Sequence, residues 1–126
     1  MSIDLSRRLG LPVVLACAAL AGCVQVPKPL YGWGSYQGQV YAYLKGQGDG
    51  PQAQISVLEA DLQRFRSAGL SAPPGYHAHL GLLYAAAGKD DAAAEQLLTE
   101  KTLFPESATY IDFLLANKTG KAGNNK

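Results

Sequence analysis

The sequence predicts an all-α fold, built as antiparallel helical hairpins and closed by a C-terminal capping helix. Three observations carry that expectation. Apolar residues recur at spacings of three and four through residues 33–117, the period of helices with one buried face. Gly and Pro clusters at residues 46–51 and 72–75, with a further glycine at Gly88, cut this stretch into helix-sized pieces. No segment alternates apolar and polar residues at period two for long enough to argue a strand.

Taken in order, residues 24–30 carry Pro27 and Pro29 and read as an extended tether. A short helix over about residues 35–45 places Trp33, Tyr36, Val40 and Tyr43 or Leu44 on one face. A second, over about 52–68, lines Ile55, Leu58, Leu62 and Phe65 on its buried face. Glu59, Asp61, Arg64 and Arg66 fall largely on its other faces, and Gly69 is placed to end it. A third helix, 76–87, ends at Gly88. A fourth opens near Asp90, whose carboxylate is positioned to cap free amides, and runs to about Thr102. Pro105 starts a fifth that runs to about Asn117, with Glu106 in its first turn. Residues 118–126 lack apolar periodicity and read as a disordered tail.

The N-terminus has a different character. Arg7 and Arg8 precede an apolar run from Leu9 to Ala19, followed by Leu20, Ala21, Gly22 and then Cys23. A basic start, a short apolar run and small residues at a cut describe a secretory signal peptide over residues 1–22. The run is shorter than the roughly 20 residues a membrane span needs. With a cysteine at the cut, the segment resembles the lipobox of bacterial lipoproteins. That resemblance implies cleavage after Gly22, a diacylglyceryl thioether on Cys23 and acylation of its new amine. Residues 23–32 would then be a lipidated tether and 33–117 the domain. Cys17 leaves with the signal, so no disulfide is available to the mature chain. One acyl chain binds a membrane reversibly, whereas two or three on one residue hold it stably. Val24, standing where an aspartate favours inner-membrane retention, directs the expected location to the outer membrane, periplasmic side.

From Cys23 onward the chain has 104 residues, nine of them Lys or Arg and nine Asp or Glu. That length bounds one domain with a modest core. Nothing in that balance suggests a nucleic acid or an acidic polymer as partner.

Within the domain, Leu80, Gly81, Tyr84, Ala93, Leu97 and Pro105 match in spacing the pattern of tetratricopeptide repeats, helix-turn-helix units of about 34 residues. Small residues at Gly81 and Ala93 suit a close helix crossing. His77 departs by replacing the usual tryptophan, and Glu100 stands where a second small residue is usual. Forward, Ile111, Leu114 and Leu115 continue the register into a capping helix. Backward it fails, because Gly46 and Gln47 occupy the Leu and Gly positions. The first two helices still form a degenerate hairpin beginning near Trp33 if the glycine-rich loop is an insertion.

Three strings, residues 30–36 (LYGWGSY), 73–81 (PPGYHAHLG) and 100–107 (EKTLFPES), together resemble the bacterial lipoprotein family known as domain of unknown function 4810. The resemblance covers nearly the whole mature chain. It implies no catalyst but a component of an outer-membrane lipoprotein assembly, with partners among other envelope lipoproteins, one of them similar to the curli-secretion channel.

The chemistry-bearing residues agree with binding. His77 and His79 point about 200° apart on a helix, and no further His or Cys is available to complete a metal site. Neither a nucleophile elbow nor a phosphate-binding glycine loop is present. The expectation is therefore no enzyme, no metal and no cofactor beyond the lipid on Cys23. Candidate partner-binding residues are Tyr31, Trp33, Tyr36, His77, His79, Glu100 and Lys101. In the bland alternative His77 packs inside the hairpin, His79 lies near the surface and Glu100 with Lys101 merely dress a helix end. The aromatic segment divides between core and contact surface. The competing function is a peptidoglycan-binding envelope protein or a weak hydrolase.

Overall fold

A computed structural model describes residues 26–122. The segment expected to be a signal peptide, with the expected cleavage residues Leu20, Ala21 and Gly22 and the expected lipid site Cys23, lies outside the described residues. The fold is all-α: α1 (Tyr36–Leu44), α2 (Pro51–Ala68), α3 (Tyr76–Ala86), α4 (Asp90–Leu103), a 3-10 turn (Pro105–Ser107) and α5 (Ala108–Ala122). Among the described residues there is no strand, and one parallel bridge joins Tyr31 to Ser71.

The glycines set the helix ends. Gly46, Gly69 and Gly88 all adopt positive φ after α1, α2 and α3. At each, two amides turn back on the last helical carbonyls, as in Gly88 N–H to Ala85 (3.1 Å) and Lys89 N–H to Tyr84 (2.9 Å). This doubly bonded reversal needs a left-handed residue, which glycine supplies without a steric penalty.

Two apolar clusters hold the stack. Ile55, Leu58, Leu62 and Phe65 of α2 pack against Tyr76, Leu80 and Leu83 of α3. Buried Tyr76 donates its hydroxyl to the Leu58 carbonyl at 2.8 Å, so its polar end is satisfied inside the core. Ala78, Leu97 and Ile111 join α3, α4 and α5, with Leu114 and Leu115 at the margin. The closest pair is α3 with α4. There a Cβ on Gly81 would stand 3.1 Å from both the Ala93 carbonyl oxygen and Leu97, so the small residue permits the crossing. In contrast, α1 buries no side chain fully.

Several expectations need correction. Asp61, read as facing outward, is completely buried between Leu58 and Leu62. Asp90 is the first residue of α4 rather than its cap; Lys89 holds that position. With Asp91, Asp90 still places negative charge in the first turn, where the helix dipole favours it. The final helix runs to Ala122, five residues into the stretch read as a disordered tail, because adding residues to a formed helix is far easier than nucleating one. Residues 123–126 lie outside the described residues.

Part of the chain recurs at a spacing longer than 34 residues. Residues 31–36 and 71–76 make equivalent turns forty positions apart, with Tyr36 N–H bonded to Trp33 and Tyr76 N–H to Pro73. In the second helix of each pair, Leu58, Asp61 and Phe65 recur as Leu97, Glu100 and Phe104. The extra length is not chiefly in the glycine loop: α2 has 18 residues against 14 in α4, one turn more.

Candidate functional site

The first helices α1, α3 and α5 together wall a shallow groove of about 250 Å³. Tyr36, Val40, Tyr43 and Leu44 form one side, Ala78, His79 and Leu82 the floor, and Tyr110 the far wall. Among the described residues no charged side chain lines it.

Its shape depends on two buried carboxylates, one in each second helix. Glu100 of α4 is 2% exposed and reaches the start of α3. Its two oxygens accept N–H bonds from Gly75 (2.5 Å), His77 (3.1 Å) and Ala78 (3.2 Å). These amides have no partner within their own helix, and the dipole makes that end a favourable place for an anion. Asp61 of α2 does the same for α1. It accepts the Ser35 N–H (2.7 Å) and the Ser35 hydroxyl (2.5 Å), and it also pairs with Arg64. Neither α1 nor α3 has a side-chain cap from its own N-cap residue. The acid of the following helix provides that function across space.

His79 is the most unusual side chain of the groove. It is 7% exposed, its Nε2 is buried without a hydrogen-bond partner, and burial pulls its pKa below 6.5. Tyr36 and Tyr43 meet its ring edge-on at 6.0 and 5.3 Å. Tyr36 also lies 5.0 Å from Tyr76, and burial raises the pKa of both phenols. The neutral imidazole therefore sits among rings as an apolar body with one unused polar atom.

The seven residues expected to bind a partner do not form one surface. Tyr36 and His79 are in the groove, and Trp33 stacks on Tyr36 at its edge with half its area exposed. Tyr31 and His77 line a separate cleft of about 410 Å³ beside Leu30, where Tyr31 meets Phe104 edge-on. The two histidines exchange their expected environments. His77 is only half-buried and bonds Gln96 Oε1 through Nδ1 at 2.7 Å, whereas His79 is enclosed because α1 lies across it. Glu100 is withdrawn from any partner by its three amides. Lys101 forms an exposed pair with Asp112 at 2.7 Å, a contact of about 0–1 kcal/mol.

Sequence reasoning missed Val40, Tyr43, Leu82 and Tyr110 as groove residues, because a surface shared by three helices has no local spacing. Asp61 did leave a signal. An acid between two buried leucines, repeated as Leu-x-x-acid at residues 58–61 and 97–100, marks a buried charge that must meet donors.

Among the described residues no group of three His, Cys, Asp or Glu side chains could hold a metal, and no helix is long and apolar enough to cross a membrane. No curated protein and no solved structure matches the chain. A family model does match, over residues 30–114 and hence more than half of the 126 residues. The span includes the groove and both buried carboxylates, so the chain belongs to the family described as domain of unknown function (DUF4810).

Proposed function

We propose that the protein is a lipid-anchored adaptor of the bacterial envelope, held at the outer membrane on its periplasmic side through Cys23. It acts by binding other envelope lipoproteins, with a curli-secretion-channel-like protein among the candidate partners, and stabilises their assembly. Its helices are tetratricopeptide-like hairpins, a reading supported by the Gly81 crossing and by the recurrence of Leu-x-x-acid-x-x-x-Phe in the second helices. Repeat units of this kind stack so that like helices share one face, and that face is where partners bind.

The observation that carries the reading is the groove. It is apolar, uncharged and lined by tyrosines and one neutral histidine across three helices. Tyrosine offers a large rigid contact area at little entropic loss, which suits recognition better than bond chemistry. The volume suits one or two side chains of a partner segment, not a whole small-molecule substrate. Lipid anchoring would raise the local concentration of partners on the same membrane and make such a modest contact sufficient.

The test is in-cell crosslinking from a photoreactive residue at Tyr110, comparing the intact protein with Leu44→Ala, at an exposed residue of the groove wall, and with Cys23→Ser. Adaptor function requires discrete crosslinks to envelope proteins that Leu44→Ala reduces without lowering the thermal midpoint. It also requires Cys23→Ser to stay helical while leaving the membrane fraction. Crosslinks unaffected by the groove change would end the groove assignment, and a Cys23→Ser protein still embedded in membrane would end the anchor assignment.

A further inference from the structure

We infer that the pole of the domain from which the tether emerges is a second docking surface, fitted to an anionic lipid bilayer. The inference rests on the anchored reading for its orientation but on separate residues for its chemistry. The 410 Å³ cleft at this pole is apolar, with Leu30, Tyr31, Phe65, Leu70, Leu103 and Phe104 among its lining, and among the described residues no carboxylate lines it. Its two rims are the least protected apolar side chains nearby: Leu30 is 73% exposed and Leu103 53% exposed. Val26, further along the tether, is 81% exposed.

Cations stand beside these leucines. Arg66 lines the cleft and is exposed, and the Lys28 ammonium lies against the turn at Gly69, next to Leu70. Exposed leucines flanked by Lys and Arg, with a tyrosine between, match a bilayer's chemistry: hydrocarbon below, phosphate at the level of the charges. Chain length agrees. Cys23 is seven residues before Leu30, so an extended tether lets this pole stand no more than about 25 Å from the lipidated residue. The aromatic groove uses none of the residues of this cleft. With this pole on the membrane, both surfaces can be occupied at once.

The experiment uses the intact protein in vesicles of phosphatidylethanolamine and phosphatidylglycerol whose acyl chains are brominated. Leu103→Trp and Phe113→Trp are made separately in a Trp33→Phe background, with circular dichroism to verify the fold. Docking requires the indole at position 103 to be quenched by bromine and shielded from iodide, while the indole at position 113, on α5, shows the reverse. Adding Arg66→Glu, or replacing the anionic lipid by phosphatidylcholine, should lower the docked-to-free ratio by about fivefold or more, because each lysine or arginine near an anionic surface contributes roughly that factor. An indole at position 103 as open to iodide on vesicles as in solution overturns the inference. Shielding indifferent to both charge changes overturns it as well, since that would indicate a protein neighbour instead. Vesicle flotation and the mass of residue 23 read the anchor independently. An unmodified Cys23 refutes the anchored reading, while the Leu103→Trp signal on added vesicles still decides the docking.

Discussion

Replacing Glu100 by alanine should be among the most damaging single changes in this chain. The substitution removes an acceptor for three amides and leaves the His77 and Ala78 N–H groups inside the α3–α4 contact without a partner. Hydrogen bonds to a charged group contribute about 1.5–3 kcal/mol each when lost singly. Their simple sum overstates the effect, since removing the carboxylate also relieves its own desolvation, and Gly75 is accessible enough for water to replace one bond. A net loss of about 3–4 kcal/mol remains, within the range for leaving one partner of a buried polar contact unmet. A domain of this size has about 5–15 kcal/mol in total, so the thermal midpoint should fall by roughly 12–25 °C. Glu100→Gln is the informative companion: one oxygen is kept, but an NH2 now faces an amide, for a loss of about 1–2 kcal/mol. Urea denaturation followed by circular dichroism gives both values, with the midpoint shifting and the slope unchanged. An alanine variant within about 0.5 kcal/mol of wild type would refute the claim that this acid holds the start of α3.

Three further outcomes follow from the same geometry. Asp61→Ala should release α1 locally, raising deuterium uptake across Tyr36–Leu44 and costing about 1–2 kcal/mol, as loss of a cap does; unchanged uptake in α1 would contradict the cross-helix cap. Gly81→Ala gains roughly 1 kcal/mol of helix propensity but sets a methyl 3.1 Å from a backbone carbonyl that cannot swing away, an overpacking cost of about 1–3 kcal/mol, so its net effect by urea titration is a loss of up to about 2 kcal/mol. His79 has a pKa below its unfolded value, so below about pH 6.5 the unfolded chain binds the proton first and stability falls with falling pH. His79→Phe removes that dependence: between pH 7 and 5 the variant should gain on wild type, by at most about 1.4 kcal/mol per pH unit, and parallel pH profiles would show that the imidazole is not held neutral.

What the sequence made legible was what is local. Ile55, Leu58, Leu62 and Phe65 declare a helix face at their own spacing, and Gly69 and Gly88 mark chain reversals that only a left-handed residue makes readily. The bounds of the first four helices were accordingly close, and Leu80, Gly81, Ala93, Leu97 and Ile111 all lie in the interior. The two acids were not legible in the same way. Charge on a helix ordinarily reads as a solvated face, and Asp61 is stable inside because Ser35 arrives from twenty-six residues away to join its local partner Arg64. The exchange of roles between His77 and His79 has the same origin. Nothing in the third helix alone tells which histidine α1 will cover. A groove walled by α1, α3 and α5 depends on how helices from distant parts of the chain pack together, and no local spacing records that packing.

The capping acids link the core to the groove in one direction. Asp61 and Glu100 are fixed on the packed faces of α2 and α4, beside Leu58 and Leu97. They grip the starts of α1 and α3, the helices that line the groove. For α3 the grip adds to extensive apolar burial, so losing it threatens the whole domain. For α1, which buries no side chain completely, the Asp61–Ser35 contact and the rings of Tyr36 and Tyr43 are most of what holds it. The wall of the groove carrying Tyr36, Val40, Tyr43 and Leu44 is therefore its least stable part, and local opening favours such segments. A partner that fills the groove would cover those side chains and add the burial that α1 lacks. Binding should then raise protection in α1 far more than in α3, and an Asp61→Ala protein should bind more weakly by the population of α1 it has lost. Equal protection of both helices on binding would mean the groove is rigid before its partner arrives.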